Sequence, residues 1–315
     1  MRAAVVDRYG TPDVVRISEV ARPAARADEV LVRVKAVAVT SADSRIRGAR
    51  FPTGFSLFAR LAFGVLRPRR TILGSSFSGE VVAVGTRVRD VAPGDEVCGM
   101  TGLKLGAHAE YVAVPAKKLA RKPSAVPHED AAGLLFGGST ALFFLRDKAS
   151  VGPGMSVLVN GASGAVGTTA VQLAKHFGAT VTGVTSTANA GLVADLGAAR
   201  VIDYTRTDLA GIADRFDVVL DAVGNLSIAA GRRLLNPQGV LLLAVAGLGD
   251  TVRARGDVVA GPAPERVEGF EFLLRLAAVG AITVVIDQVY PLQDIAEAHR
   301  RVDSGRKVGN IVVRP

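Results

Sequence analysis

The chain has 315 residues with a formal net charge of +9, and its length suits two packed domains better than one. Hydrophobic residues make up 49% and aromatic residues only 5%, and bases are interleaved with acids except at Arg67-Pro68-Arg69-Arg70, so nucleic-acid binding is not expected. One cysteine, Cys98, excludes an internal disulfide, and with four histidines the chain is poor in metal ligands.

In chain order, Met1 to Arg8 reads as an amphipathic strand and lacks the apolar core and cleavage site of a signal peptide. No apolar run approaches the roughly 20 residues of a membrane helix; Leu134 to Leu145 comes nearest and is interrupted by Gly137-Gly138-Ser139-Thr140. A cytoplasmic location without a membrane partner is expected. Up to about residue 122 short strand signals alternate with turns, as in 31–37, 79–85 and 96–99, the last preceded by Pro93-Gly94-Asp95. This part is predicted to be a β-rich barrel or roll. Within it, Phe51, Phe55, Phe58, Leu61 and Phe63 form an apolar segment, read either as a cover over a substrate cleft or simply as a packed loop or helix. From about 123 the pattern changes to strands at 155–160, 179–184, 200–202, 217–220 and 239–245 with helical segments between them, which predicts a doubly wound parallel sheet. After about 264 a helical segment, a strand, a short helix around 295–302 and a strand over 308–313 are expected to fold back onto the first part.

The first parallel strand, Met155 to Val159, runs into Asn160-Gly161-Ala162-Ser163-Gly164-Ala165-Val166-Gly167 and then into a helical pattern that stops at Gly178. Strand, glycine turn and helix in that order suit a dinucleotide's pyrophosphate: the turn bends tightly, small residues let the backbone approach, and the helix end offers N–H groups. An NAD site would carry an acid about 20 positions on to hold the ribose 2′-hydroxyl. Here the second strand ends in Thr185-Ser186-Thr187, and the first acid after it is Asp195. Hydroxyls tolerate a 2′-phosphate, so NADP is favoured over NAD, although no Lys or Arg lies between Lys175 and Arg200. A diffuse positive field would speed the arrival of such a polyanion.

Ordered matches along the whole length give the chain a resemblance to the zinc-independent branch of the medium-chain dehydrogenase/reductase superfamily, near its quinone oxidoreductases. They include Asp43 with Arg47-Gly48, Gly79 to Gly85, Pro93-Gly94-Asp95, Ala109-Glu110-Tyr111-Val112, Thr140-Ala141, Asn160 to Gly167, Asp203-Tyr204, Asp221 to Gly224 and Ala298-His299-Arg300. The resemblance implies a doubly wound parallel Rossmann sheet over 123–264, inserted into a chaperonin-10-like (GroES-like) catalytic domain made of 1–122 and 265–315. It also implies a homodimer. Zinc-dependent members carry Cys, His and Glu where this chain has Thr40, Ser75 and Ser76, so no metal is expected.

The resemblance further implies hydride transfer from NADPH to a quinone or to the β-carbon of an α,β-unsaturated carbonyl, with the proton drawn from solvent. Thr140 and Asp43 are the catalytic candidates. Thr140 aligns with a threonine that approaches the nicotinamide or merely caps a helix; Asp43 is read mainly as orienting a loop around Arg45 and Arg47. The expected cofactor set is Thr40, Thr140, the turn Gly161, Ala162, Ser163, Gly164, Ala165, Val166 and Gly167, then Thr185, Ser186, Thr187, Asn189, Tyr204, Val223, Gly224, Ala246, Gly247 and Asn310. Thr40-Ser41 replaces the family's Asn-Pro, and Asn189 stands where a lysine is usual. The alternatives are a low-turnover NADP(H)-binding redox sensor and an alcohol dehydrogenase-like enzyme. His108 is read as structural more than cleft-lining, His128 as a helix-entry residue, His176 and His299 as surface or packing residues, and Cys98 as a buried strand residue.

Overall fold

Two sheets organise the chain, and each is buried on both faces for most of its length. The computed structural model describes residues 1–315, the side chain of Ala210 excepted. A hairpin of β1 (Arg2–Val6) and β2 (Val15–Glu19) precedes the long strand β3 (Glu29–Val39). Two short helices follow, α1 (Ser41–Gly48) and α2 (Ser56–Phe63), then β4 (Ser76–Val84), β5 (Glu96–Met100), β6 (Tyr111–Pro115) and β7 (Leu119–Arg121). Helix α3 (His128–Leu142) leads out of this part.

The parallel region alternates as its periodicity demands: β8 (Ser156–Asn160), α4 (Ala165–His176), β9 (Thr180–Thr185), α5 (Ala190–Asp195), β10 (Arg200–Asp203) and β11 (Phe216–Asp221). It continues through α6 (Ile228–Arg233), β12 (Leu235–Leu243), α7 (Leu248–Arg253) and β13 (Val258–Ala260). These strands form one parallel sheet in the order β10-β9-β8-β11-β12-β13, the doubly wound arrangement. Alternate side chains go to opposite faces: Val157 and Val159 join one core with Val181, Val218 and Leu220, while Leu158 joins another with Val184, Ile202 and Val219. After α8 (Val267–Ala278), the chain forms β14 (Ile286–Pro291), α9 (Ile295–Asp303) and β15 (Asn310–Arg314). β15 pairs antiparallel with β3, so the first sheet draws its strands from both ends of the sequence.

Helix α3 touches both units. It packs on α4 and α8 and also on β3, β4, β5 and β15, which explains its three glycines. A Cβ on Gly137 would lie 2.3 Å from the Ala165 carbonyl oxygen, and one on Gly133 would lie 3.3 Å from Asn310 Cβ. Gly137 thus brings a buried helix close to the first turn of α4, while Gly138 makes room for Leu273 of α8.

Residues 41–48, read above as a loop around Arg45 and Arg47, are helical. The local signal is a capping box: Thr40 Oγ1 accepts from the Asp43 amide, and Asp43 Oδ2 accepts from the Thr40 amide at 2.8 Å. Helix α1 lies against α9, and this contact buries Arg47 completely. The apolar segment 51–63 divides: Phe51 stacks on Phe63 at 5.9 Å against the core, while Leu57, Phe58 and Leu61 on α2 stay exposed.

His299 is buried completely, with both ring nitrogens lacking a hydrogen-bond partner, and its ring meets that of His108 edge-on at 5.7 Å. Burial holds its pKa well below 6.5, helped by nearby His108 and Arg47 and opposed by Asp303. Burial also lowers the pKa of His108, against the pull of Asp43. The folded state therefore keeps both rings neutral, while an unfolded chain takes up protons below about pH 6.5. Stability is full above that pH and is lost as pH falls towards the folded values. His299→Leu removes two unsatisfied nitrogens, so it is expected to raise stability by about 1–3 kcal/mol and to flatten the acid slope. Thermal unfolding between pH 7.5 and 5.0 measures both; a variant melting no higher than the parent, with the same slope, refutes the expectation.

Candidate cofactor and substrate site

The glycine turn sits at the carboxyl end of β8, centred in the parallel sheet where the strand order reverses. Gly161 adopts φ +80°, a conformation that side chains resist, and its amide and that of Ala162 both donate to the Val184 carbonyl. Gly167 is needed for closeness: a Cβ there would lie 2.1 Å from the Gly161 carbonyl oxygen. Helix α4 starts at Gly164 without a side-chain cap, so the amides of its first turn are left for an external acceptor. The cradle fits a pyrophosphate.

Ser163 ties this turn to its surroundings. Its hydroxyl accepts from Thr185 Oγ1 at 2.9 Å and Asn189 Nδ2 at 3.2 Å, and its carbonyl accepts from the Gly309 amide at 2.8 Å. Ser186 and Thr187 follow Thr185 at the end of β9, and exposed Tyr204 donates its amide to the Thr185 carbonyl. These residues converge at the edge where an adenosine ribose would lie.

An acid named among the family matches but not in the expected cofactor set also arrives there. Asp203 ends β10 in register with Thr185; it accepts hydrogen bonds from Thr187 Oγ1 and, at 2.7 Å, from Thr205 Oγ1. The bond from Thr187, then that from Thr205, holds its carboxyl below the ordinary range, and Arg206 adds to the effect. The spacing rule looks along the second strand and misses an acid delivered by the third. Arg206 likewise supplies a cation that lies beyond the stretch between Lys175 and Arg200.

On the other half of the sheet, Asp221 is fully buried at the end of β11. It accepts from Asn160 Nδ2 and from the amides of Val223, Gly224 and Leu226, at 2.9–3.0 Å. One carboxylate thus shapes the whole loop. Gly224, Val245, Ala246 and Gly247 face Arg45 and Phe51 across a cleft of about 210 Å³. Thr140 is partly exposed one turn beyond Gly137, with its hydroxyl bonded to the Phe136 carbonyl at 2.8 Å.

Four expected polar site residues turn inward instead, among them Thr185, which is 1% exposed and gives its hydroxyl to Ser163. Thr40 is 6% exposed and commits its hydroxyl to Asp43; Asp43 is 1% exposed, and its second oxygen accepts from the Gly74 amide at 2.9 Å. Asp43 therefore shapes the N-terminus of α1, with no open path to a substrate. Asn310 is buried and donates to the Val285 carbonyl. His108 is buried against the Ala38 carbonyl, and His128 begins α3, hydrogen-bonded to Ser78 and Glu96. Cys98 is buried on β5, where burial pushes its thiol up to about 12.

Comparison with known proteins agrees with this layout. Residues 26–124 match the alcohol dehydrogenase GroES-like domain, and residues 196–313 match the zinc-binding dehydrogenase domain. The chain is 33% identical to a 2-methylene-furan-3-one reductase of Solanum lycopersicum, over all of this chain and 79% of that protein. The chain belongs to the medium-chain dehydrogenase/reductase family. It is an oxidoreductase with the family's GroES-like domain and Rossmann sheet. It is also 32% identical to a chloroplastic NADPH-dependent alkenal/one oxidoreductase of Arabidopsis thaliana, over all of this chain and 80% of that one. A quinone oxidoreductase from Coxiella burnetii superposes with a TM-score of 0.89 at 27% identity, covering 100% of this chain and 99% of its own.

The zinc in one matched domain's description finds no fitting donors here. Ser76 gives its hydroxyl to the Ala132 carbonyl at 2.6 Å, Thr40 gives its own to Asp43, and Ser75 is a neutral hydroxyl. No group of three or more His, Cys, Asp or Glu side chains converges among the described residues. No helix among them is long and apolar enough to cross a membrane.

Proposed function

We propose that this oxidoreductase is an NADPH-dependent, zinc-independent reductase of quinones or α,β-unsaturated carbonyl compounds, working in the cytoplasm. The observation that carries the reading is the cradle at Gly161–Gly167, opening beside a cleft walled by α1 and residues 50–53 on one side and by the loops after β11 and β12 on the other. When bound, NADPH supplies a hydride from nicotinamide C4 to the acceptor's β-carbon or quinone ring, and a solvent proton completes the two-electron reduction as NADP⁺ forms.

The chain's own residues bind and orient. The amides of the first turn of α4 hold the pyrophosphate, and Ser186 and Arg206 serve the 2′-phosphate end, where Thr187 and Thr205 keep the Asp203 carboxylate occupied. Asp221 fixes the loop at Val223 and Gly224, and Asp43 fixes α1, so that both cleft walls are rigid before the substrate arrives. Thr140 stands at the nicotinamide face of α3. Residues 123–264 form the cofactor unit in this reading, and 1–122 with 265–315 form the catalytic unit. The short edge strand β13 makes the parallel sheet the natural place for a homodimer contact.

NADPH oxidation with a panel of enones and quinones tests the reading, run before and after chelator treatment. Turnover that survives chelation, and falls at least tenfold with NADH, is expected. Absence of turnover with every acceptor, or activity restored only by zinc, would sink it.

A further inference from the structure

The cleft between α1 and the ends of β11 and β12 is lined by apolar Phe51, Pro52, Leu226 and Val245 and by three charged side chains, Arg45, Arg50 and Asp250. Of the two arginines, Arg45 is the one without a partner among the described residues. It is half-buried, and among the described residues its side chain makes no hydrogen bond or ion pair. A guanidinium stays charged at all physiological pH, and withdrawing it from water without a counter-charge is costly. Burial alone lowers its pKa, with no carboxylate acting against that.

The neighbouring charges do not complete it. Arg50 lines the same cleft but donates to Asp303 at 2.8 Å, and Asp303 is also held by Arg47 at 2.5 Å, so one carboxylate already serves two arginines. Asp250 lines the opposite rim, forms no ion pair with Arg45, and borders the adjoining cavity together with Arg253 and Arg255. The anion that Arg45 lacks is not the cofactor's pyrophosphate, because the pyrophosphate cradle ends β8, whereas this cleft is built by the loops after β11 and β12.

We infer that Arg45 is a carboxylate-recognition site and that the enzyme prefers small unsaturated carbonyl substrates carrying an acidic group. This rests on the reductase reading above. The planar fork of arginine pairs bidentately with a carboxylate, and partial withdrawal of Arg45 from water strengthens such a pair. Gly224, Ala246 and Gly247 of the expected cofactor set line the same cleft of about 210 Å³, so an acid sharing it with the cofactor must be short.

A matched pair of substrates isolates the charge: trans-4-oxopent-2-enoate and its methyl ester share the same enone. With saturating NADPH, the wild type is expected to favour the acid in kcat/KM. Arg45→Gln is expected to cut the acid-to-ester ratio at least tenfold, mainly through KM, and Arg45→Lys to restore part of it. An unchanged ratio in Arg45→Gln overturns the inference, as does an equal loss for both substrates or a comparable loss of NADPH affinity. Calorimetric titration of the saturated acid 4-oxopentanoate needs no turnover; binding at least tenfold weaker in Arg45→Gln supports the site, and equal binding overturns it. If neither enone is reduced while 4-oxopentanoate binding still depends on Arg45, the reductase reading fails and the anion site stands.

Discussion

Gly167→Ala is expected to weaken NADPH binding at least a hundredfold, about 2.7 kcal/mol, while the protein remains folded. The added methyl would sit 2.1 Å from the Gly161 carbonyl oxygen and 2.7 Å from Ala162 Cα. Both are backbone atoms of the turn, so no side-chain rotation relieves the clash. Either α4 withdraws from β8 or the turn opens, and each moves the first-turn amides away from the position of the phosphates. Gly191→Ala is the control: it lies within α5, and a Cβ there meets nothing within 4 Å. That variant should bind NADPH normally and gain about 0.5–1 kcal/mol from the better helix former. Calorimetric titration with NADPH, with near-ultraviolet circular dichroism as the check on folding, measures the contrast. A Gly167→Ala protein that is folded and binds within threefold of the wild type would refute the cradle.

The parallel sheet was legible because its strands are short apolar runs separated by helical periodicity, a pattern that few other arrangements of chain can bury. Boundaries moved by only a residue or two at β8 and β9, whereas β12 begins at Leu235, before the expected 239. Helix α1 was missed: Thr40 and Asp43 have capping-box spacing, but the segment's low apolar content made it read as a loop. Other features lie beyond any local pattern. Asp203 reaches the adenosine edge only because β10 pairs with β9, and Arg45 faces Ala246 only because α1 is carried across to the ends of the parallel strands. The inward turn of Thr40 and Asn310 is a tertiary outcome of the same kind: each lies at the right place in the chain, but its polar atoms are taken by neighbours. His299 stands one residue from the exposed Arg300, and only the packing of α9 on the first sheet decides which of them is buried.

Arg47→Met is expected to cost roughly 3 kcal/mol of stability, the lower end of the range for breaking a buried ion pair, because Asp303 keeps 16% exposure. Arg47 is wholly buried between α1 and α9; it donates to the Gly10 carbonyl at 2.8 Å and to Asp303 at 2.5 Å. Methionine refills much of the volume, so the loss reports on charge and hydrogen bonds more than on a cavity. The pH dependence gives a second readout. Burial works to raise the Asp303 pKa, and hydrogen bonds from Ser44 and Arg47 outweigh it, leaving the carboxyl below its ordinary value. Its contribution to stability is present above the ordinary carboxyl pKa, near 3.9, and is lost as pH falls through the lower folded value. Without Arg47 the burial effect gains weight and the folded pKa rises, so the carboxylate contributes less stability at neutral pH and less of it is left to lose in acid. Urea unfolding at pH 7.5 and 4.5 should therefore show a lower midpoint for Arg47→Met, with the larger gap at pH 7.5. Adding Asp303→Leu should recover part of the loss, since leucine leaves no carboxylate stranded beside the methionine. Equal midpoints for Arg47→Met and wild type at both pH values would show that the pairing of α1 with α9 does not depend on this charge.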